Sequence, residues 1–140
     1  MDETVLEICE YTEDGYKPLI DYGDWRVAIL NYIDELRPDQ NTQMERHMQT
    51  DEVFVLMRGR TILFLGGNDA KVDAITPEVM ESGKLYNVKK GAWHSILMTR
   101  DASILLVENR DTDDENSEYF HMTAEMHNQV LGIAKAHQID

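Results

Sequence analysis

The amino-acid sequence predicts an all-β sandwich or barrel followed by one amphipathic helix. Two observations carry that prediction. Short runs rich in β-branched, aromatic and aliphatic residues recur at even spacing, each bounded by turn residues. Near the C-terminus the period changes, and Tyr119, Met122, Met126, Val130 and Ile133 recur at helical spacing.

Taken in order, the first part of the chain reads as short strands broken at DG (14–15) and at Gly23, and WRVAILNYI at 25–33 is richest in strand formers. RPDQNTQ at 37–43 is a polar loop, with Pro38 holding Arg37 extended. Residues 53–57 form a buried strand, Arg58-Gly59-Arg60 a tight turn, and 61–65 the returning strand, which ends at GGND (66–69). Residues 71–82 are a polar connection containing Pro77. Strands follow at 84–88, 92–98 and 102–108, separated by Lys89-Lys90-Gly91 and by TRD at 99–101. The expected division is a β-barrel over 1–109 with its motif core at 40–109, an acidic linker over 110–117, and a helix over 118–138. Asn116 or Ser117 can cap that helix, and Glu118 suits its positive end. Its apolar stripe packs on its own barrel or against a dimer partner.

Composition bounds the function classes. At 140 residues with 42% hydrophobic content, one domain with a real core is expected. A single cysteine, Cys9, excludes an internal disulfide framework and a thiolate metal cluster, and fits a reducing compartment. No run is long enough to span a membrane, and the acidic start is not expected to be a signal peptide, so a cytoplasmic location is expected. The net charge of −14 argues against nucleic acid and anionic membranes as partners. The charge is uneven. Residues 1–24 hold eight acids and one base, whereas residues 46–100 hold six acids and eight bases. The total alone therefore does not exclude a small anionic ligand.

Chemistry concentrates in two segments, MERHMQTDEVFVLMRG at 44–59 and GKLYNVKKGAWHSILM at 83–98. Residues two apart on a strand share a face, so Glu45 and His47 project together. A bend at 49–51 returns Glu52 to that face; the alternative is an outward Glu52 beside Asp51. His94 follows the Gly91 turn on a later hairpin. If these hairpins share one barrel, Glu45, His47, Glu52 and His94 converge. Two imidazoles and two carboxylates form an N/O set suited to Mn, Fe, Zn, Ni or Co. His121, His127 and His137 lack metal-ligand spacing and are expected off the site. Met44, Met48, Met57 and Met98 are expected to fill core gaps. Trp93 should face away from His94.

These two segments resemble the motifs of the cupin superfamily. In the first, His47 stands as the second histidine, Glu52 as the acid and Gly59 as the closing turn. In the second, Gly83, Gly91 and His94 are in place, and residues 60–82 form the intermotif loop. The resemblance implies a jelly-roll (double-stranded β-helix) barrel holding a divalent metal ion on His47, Glu52 and His94. Three positions depart from the pattern: Glu45 stands where the first metal-binding histidine belongs, Lys89 replaces a proline and Met98 an asparagine. A 2-Glu/2-His set on a divalent ion is formally neutral and a poorer Lewis acid than a 3-His/1-Glu set. The alternative for Glu45 is a salt bridge to Arg46, Arg58 or Arg60 around a metal-free pocket.

Two functions follow from the resemblance. One is a metal-dependent enzyme (isomerase or epimerase, lyase or oxygenase) acting on a small polar metabolite, a sugar or an organic acid. In it Glu45 is either a ligand or a general base. The other is a non-catalytic, metal-free binding module. A nucleotide-sugar substrate would need Arg58, Arg60 and Lys84 for its diphosphate. A homodimer is expected, as small cupins tend to pair through their sheets.

Overall fold

The computed structural model describes Asp2 and residues 4–140. Ten strands run β1 Gly15–Tyr22, β2 Trp25–Asn31, β3 Gln43–His47, β4 Glu52–Arg58, β5 Thr61–Leu65, β6 Thr76–Val79, β7 Tyr86–Val88, β8 His94–Met98, β9 Ser103–Asn109 and β10 Ser117–His121, followed by helix α1 Ala124–Ala136. They form two antiparallel five-stranded sheets, ordered β1-β2-β9-β4-β7 and β10-β3-β8-β5-β6. The all-β jelly-roll architecture with one C-terminal helix is the one expected. Among the described residues no helix is long and apolar enough to cross a membrane.

Strand alternation builds two cores. Ala28, Phe54, Leu56, Ile104 and Leu106 of the first sheet meet Leu63, Ile96 and Met98 of the second between the sheets. Met44, Ile62, Phe64 and Leu97 leave the second sheet on its other face and pack under α1 with Trp93, Val130 and Ala134. Strands β5 and β8 are therefore buried on both faces, which is why TILFL and SILM read as unbroken apolar runs. Each fully buried Phe, Leu or Met side chain contributes roughly 1.5–3 kcal/mol. Met44 and Met98 fill the core as expected, whereas Met48 and Met57 are exposed.

The C-terminal region differs from expectation. The helix begins at Ala124 and is capped by Thr123, whose hydroxyl accepts from the Met126 amide at 3.1 Å. Residues 117–121 form β10 instead, in register from Ser117 opposite His47 to His121 opposite Gln43. Pairing with the edge of β3 satisfies their backbone and overrides the helical spacing of Tyr119 and Met122. The candidate helix caps serve elsewhere. Asn116 closes a capping box with Asp113 around the short 3₁₀ turn Asp114–Asn116, and Ser117 contacts His47. The helix lies on its own barrel, and His127 donates from Nε2 to the Pro38 carbonyl at 2.8 Å.

The polar connection at 71–82 also contains a strand, β6, with Pro77 opposite Phe64. It sits at a sheet edge, where a residue lacking an N–H is tolerated.

Gly59 is required at its turn. Its φ is +75°, and a Cβ there would lie 2.4 Å from Ala102 Cα. Both the left-handed backbone and the backbone collision oppose any side chain. Gly59→Ala is expected to cost about 3 kcal/mol, read as a lowered urea midpoint with unchanged slope.

Candidate metal centre

The two sequence segments meet inside the barrel. Glu45 on β3 is directly opposite His94 on β8, and His47, two residues along, shares the inward face. The Gly91 amide donates to the His47 carbonyl at 2.8 Å, docking the turn that launches His94 onto β3. Glu52 comes from the opposite sheet, because the chain crosses between sheets at residues 48–51. Its side chain points inward and is buried. Asp51 points outward and accepts from the Lys90 amide.

Glu52 Oε1 lies 3.2 Å from Nε2 of both His47 and His94, and Glu45 Oε1 lies 3.9 and 3.8 Å from the same two nitrogens. None of the three candidate arginines holds Glu45. Arg46 pairs with Glu118 and stacks over Trp93 at 4.4 Å. Arg58 donates to the Asp101 carbonyl and Arg60 to those of His137 and Gln138. Trp93 faces away from His94, as expected, into the core beneath α1.

Hydrogen bonds fix how the imidazoles face the cavity. His94 Nδ1 donates to the Ala92 carbonyl at 3.0 Å. His47 Nδ1 meets Ser117 Oγ at 2.8 Å. The one hydroxyl proton of Ser117 is donated to the Asp113 carbonyl at 2.6 Å, so Oγ accepts from His47 Nδ1–H. Both rings thus present Nε2 to the cavity, the tautomer a metal-ligating histidine needs. Glu52 Oε1 and His94 Nε2 are buried yet have no hydrogen-bond partner. Asn31 Oδ1, Tyr32 Oη and Thr61 Oγ1 are buried without a partner too, but Glu52 Oε1 and His94 Nε2 face one another at 3.2 Å within a donor set suited to a divalent cation. The residues therefore fit the metal that the sequence motifs imply.

The charges agree with that arrangement. Burial opposes ionisation of Glu52, but the two imidazoles outweigh it and hold its carboxyl well below the usual range. Burial likewise opposes protonation of His47 and His94, and Glu52 overrides it, raising both above their ordinary value. Two protons or one divalent ion can satisfy the same three atoms.

Sequence reasoning missed a second layer. Glu108 on β9 is buried and close enough to His47 and Glu52 to share a metal-sized cluster. It accepts from Tyr16 Oη at 2.7 Å and from Arg26 Nη2 at 2.8 Å. Arg26 also donates to the Arg110 and Thr112 carbonyls. Burial, reinforced by the Glu52 charge, pushes the Glu108 carboxyl up to about 7. These groups line a cavity of about 590 Å³, within the range of small-molecule sites. His121 and His137 are exposed and, like His127, lie outside it.

No protein-family model matches the chain, and no curated protein matches it by sequence. Similar solved structures exist at low identity. A cupin-2 domain protein from Shewanella frigidimarina superposes with a TM-score of 0.50 at 18% identity, over 71% of this chain and 85% of that one. PAC13 from Streptomyces, a variant solved with uridine, gives 0.55 at 8% identity over 82% and 86%. WlaRA, a TDP-fucose-3,4-ketoisomerase from Campylobacter jejuni, gives 0.52 at 11% identity over 66% and 65%. The two facing sheets of this chain, with their inward histidines and carboxylates, form a cupin fold.

Proposed function

We propose that this protein binds a divalent metal ion in its barrel and binds or transforms a small polar metabolite there. The observation that carries the reading is the pair of buried atoms Glu52 Oε1 and His94 Nε2, which face each other at 3.2 Å without an aligned hydrogen bond. His47, Glu52 and His94 would hold the ion, with Glu45 as a fourth ligand or as a base beside it. The ion would polarise hydroxyl or carbonyl oxygens of the ligand. Ser117 and the Ala92 carbonyl orient the two imidazoles, and the apolar walls at Phe54, Ile96 and Leu106 exclude water. A sugar-like ligand agrees with what the names of PAC13 and WlaRA say of those proteins. The lining of this cavity does not suit a diphosphate: Arg58, Arg60 and Lys84 all lie off it, and Arg26 is its one lining arginine or lysine among the described residues.

Elemental analysis of protein purified without a histidine tag or chelator tests the reading. Near one equivalent of Mn, Fe, Ni, Co or Zn per chain is expected, on isolation or after reconstitution. No uptake of any of them rejects it and leaves a metal-free binding module.

The expected homodimer joins the proposal. Its support is an apolar outer face: α1 covers the outside of the second sheet, whereas the outside of the first carries Val27, Val107 and Val53 in one row and Ile29, Leu105 and Val55 in the next, all half-buried except the buried Ile29. Sedimentation should give a dimer for wild type and a folded monomer for Val107→Lys. A wild-type monomer at micromolar concentration counts against it.

A further inference from the structure

The cavity mouth carries a charge pattern that the metal site does not use. Glu35, from the turn after β2, and Asp113 and Asp114, from the loop between β9 and β10, line the same cavity as Glu45 and are exposed. None of the three has an arginine, lysine or histidine partner within 4.0 Å among the described residues. The Asp113 carboxylate accepts from the Glu115 amide, and the Asp114 carboxylate from the Tyr119 hydroxyl. Tyr119, half-exposed, lines the same cavity.

Charge can be counted inward from there. Arg26 is held in an ion pair with Glu108 at 2.8 Å. A divalent ion would be neutralised by Glu45 and Glu52. The three mouth carboxylates then remain without a counter-charge, around a cavity whose floor holds the buried Glu52 Oε1 and His94 Nε2, neither of them hydrogen-bonded. An anionic ligand would enter against that field, and the one arginine lining the cavity is already paired with Glu108. A ligand with oxygens for the ion and a protonated amine for the mouth would satisfy both, with the Tyr119 ring beside the ammonium. Resting on the metal reading above, we infer that the ligand of this cavity is an aminated polar molecule, such as an amino sugar or amino alcohol, and that carboxylate and phosphate analogues are rejected.

Three catechols that share one chelating diol and differ in remote charge test this. Dopamine is cationic, catechol neutral and 3,4-dihydroxybenzoate anionic. The protein is first loaded with Mn(II) and its metal content measured. Paramagnetic broadening of the ligand proton signals then gives each affinity. Dopamine should bind at least tenfold more tightly than dihydroxybenzoate in low salt, with catechol between them. The gap should narrow in 0.5 M salt. It should also narrow in the triple variant Glu35→Gln, Asp113→Asn, Asp114→Asn, which keeps the acceptor oxygens of both loops and should load the same metal. Equal affinities, a reversed order, no binding by any of the three, or a gap indifferent to the triple variant would overturn the inference while leaving the metal site standing. Absence of metal uptake would overturn both.

Discussion

Replacing His94 by alanine is expected to yield a folded protein that takes up no metal and gains no thermal stability from one. In wild type, an ion at a hundred times its Kd should stabilise the native state by about 2.7 kcal/mol. At about 3 °C per kcal/mol for a domain of this size, that is a rise of roughly 8 °C in Tm. His47→Ala should behave alike, because Glu52 Oε1 is shared equally at 3.2 Å by both rings. Glu45→Gln should weaken uptake by roughly tenfold without abolishing it, since Glu45 is 43% exposed and stands further from both nitrogens. The sign of the pH effect follows from proton competition. Both histidines have a raised pKa in the folded protein, above the ordinary 6.5. In the metal-free protein their contribution to stability is full below 6.5 and is lost as pH rises through the folded values. A metal replaces those protons, so metal-dependent stabilisation should grow across the same window. Calorimetric scans with and without metal at several pH values read both effects. A His94→Ala protein that still binds one equivalent places the ion elsewhere.

The histidines and Glu52 were legible because their signals are local. Glu45 and His47 are two apart on one strand, Glu52 opens the next strand, and Gly91 sets the turn before His94. Glu108 and Arg26 had no such signal. They are 82 residues apart and meet only because β2 pairs with β9. Both strands are apolar on both faces (VAIL, ILLV), so alternation could not tell which face a terminal charge would take. Strand β10 was hidden for a related reason. Its residues also fit a helical period, and what decides against a helix is an edge of β3 some 70 residues earlier. The same pairing brings Ser117 to His47, so one non-local contact fixes both a secondary structure and a ring tautomer.

The largest loss of stability should come from that unforeseen layer. Arg26→Met removes the guanidinium from a carboxylate whose side chain is 3% exposed, when Arg26 itself is only 17% exposed. Breaking a buried pair on one side typically costs about 3–5 kcal/mol, because the remaining charge is left without a partner. That is a large share of the roughly 5–15 kcal/mol that holds a domain together. Glu108 can relieve part of the cost by keeping its proton. Its carboxyl already sits at about 7, above the ordinary 4.5, through burial and the charge of Glu52. A raised acid binds a proton on folding, so its favourable contribution is full below about 4.5 and fades as pH rises through 7. Without Arg26 that window moves further up. The cost of Arg26→Met should therefore be smaller at pH 5.5 than at pH 8, and Arg26→Met with Glu108→Gln should recover most of it at pH 8. Urea denaturation at the two pH values separates these cases. A cost under about 1 kcal/mol at pH 8 would mean the pair behaves like an exposed one. If the cost is as large as expected, Arg26 acts on the candidate metal-binding cluster through Glu108. By compensating Glu108 it lets a second carboxylate stand beside Glu52 and His47 while Glu52 stays ionised, the state that the proposed cation needs.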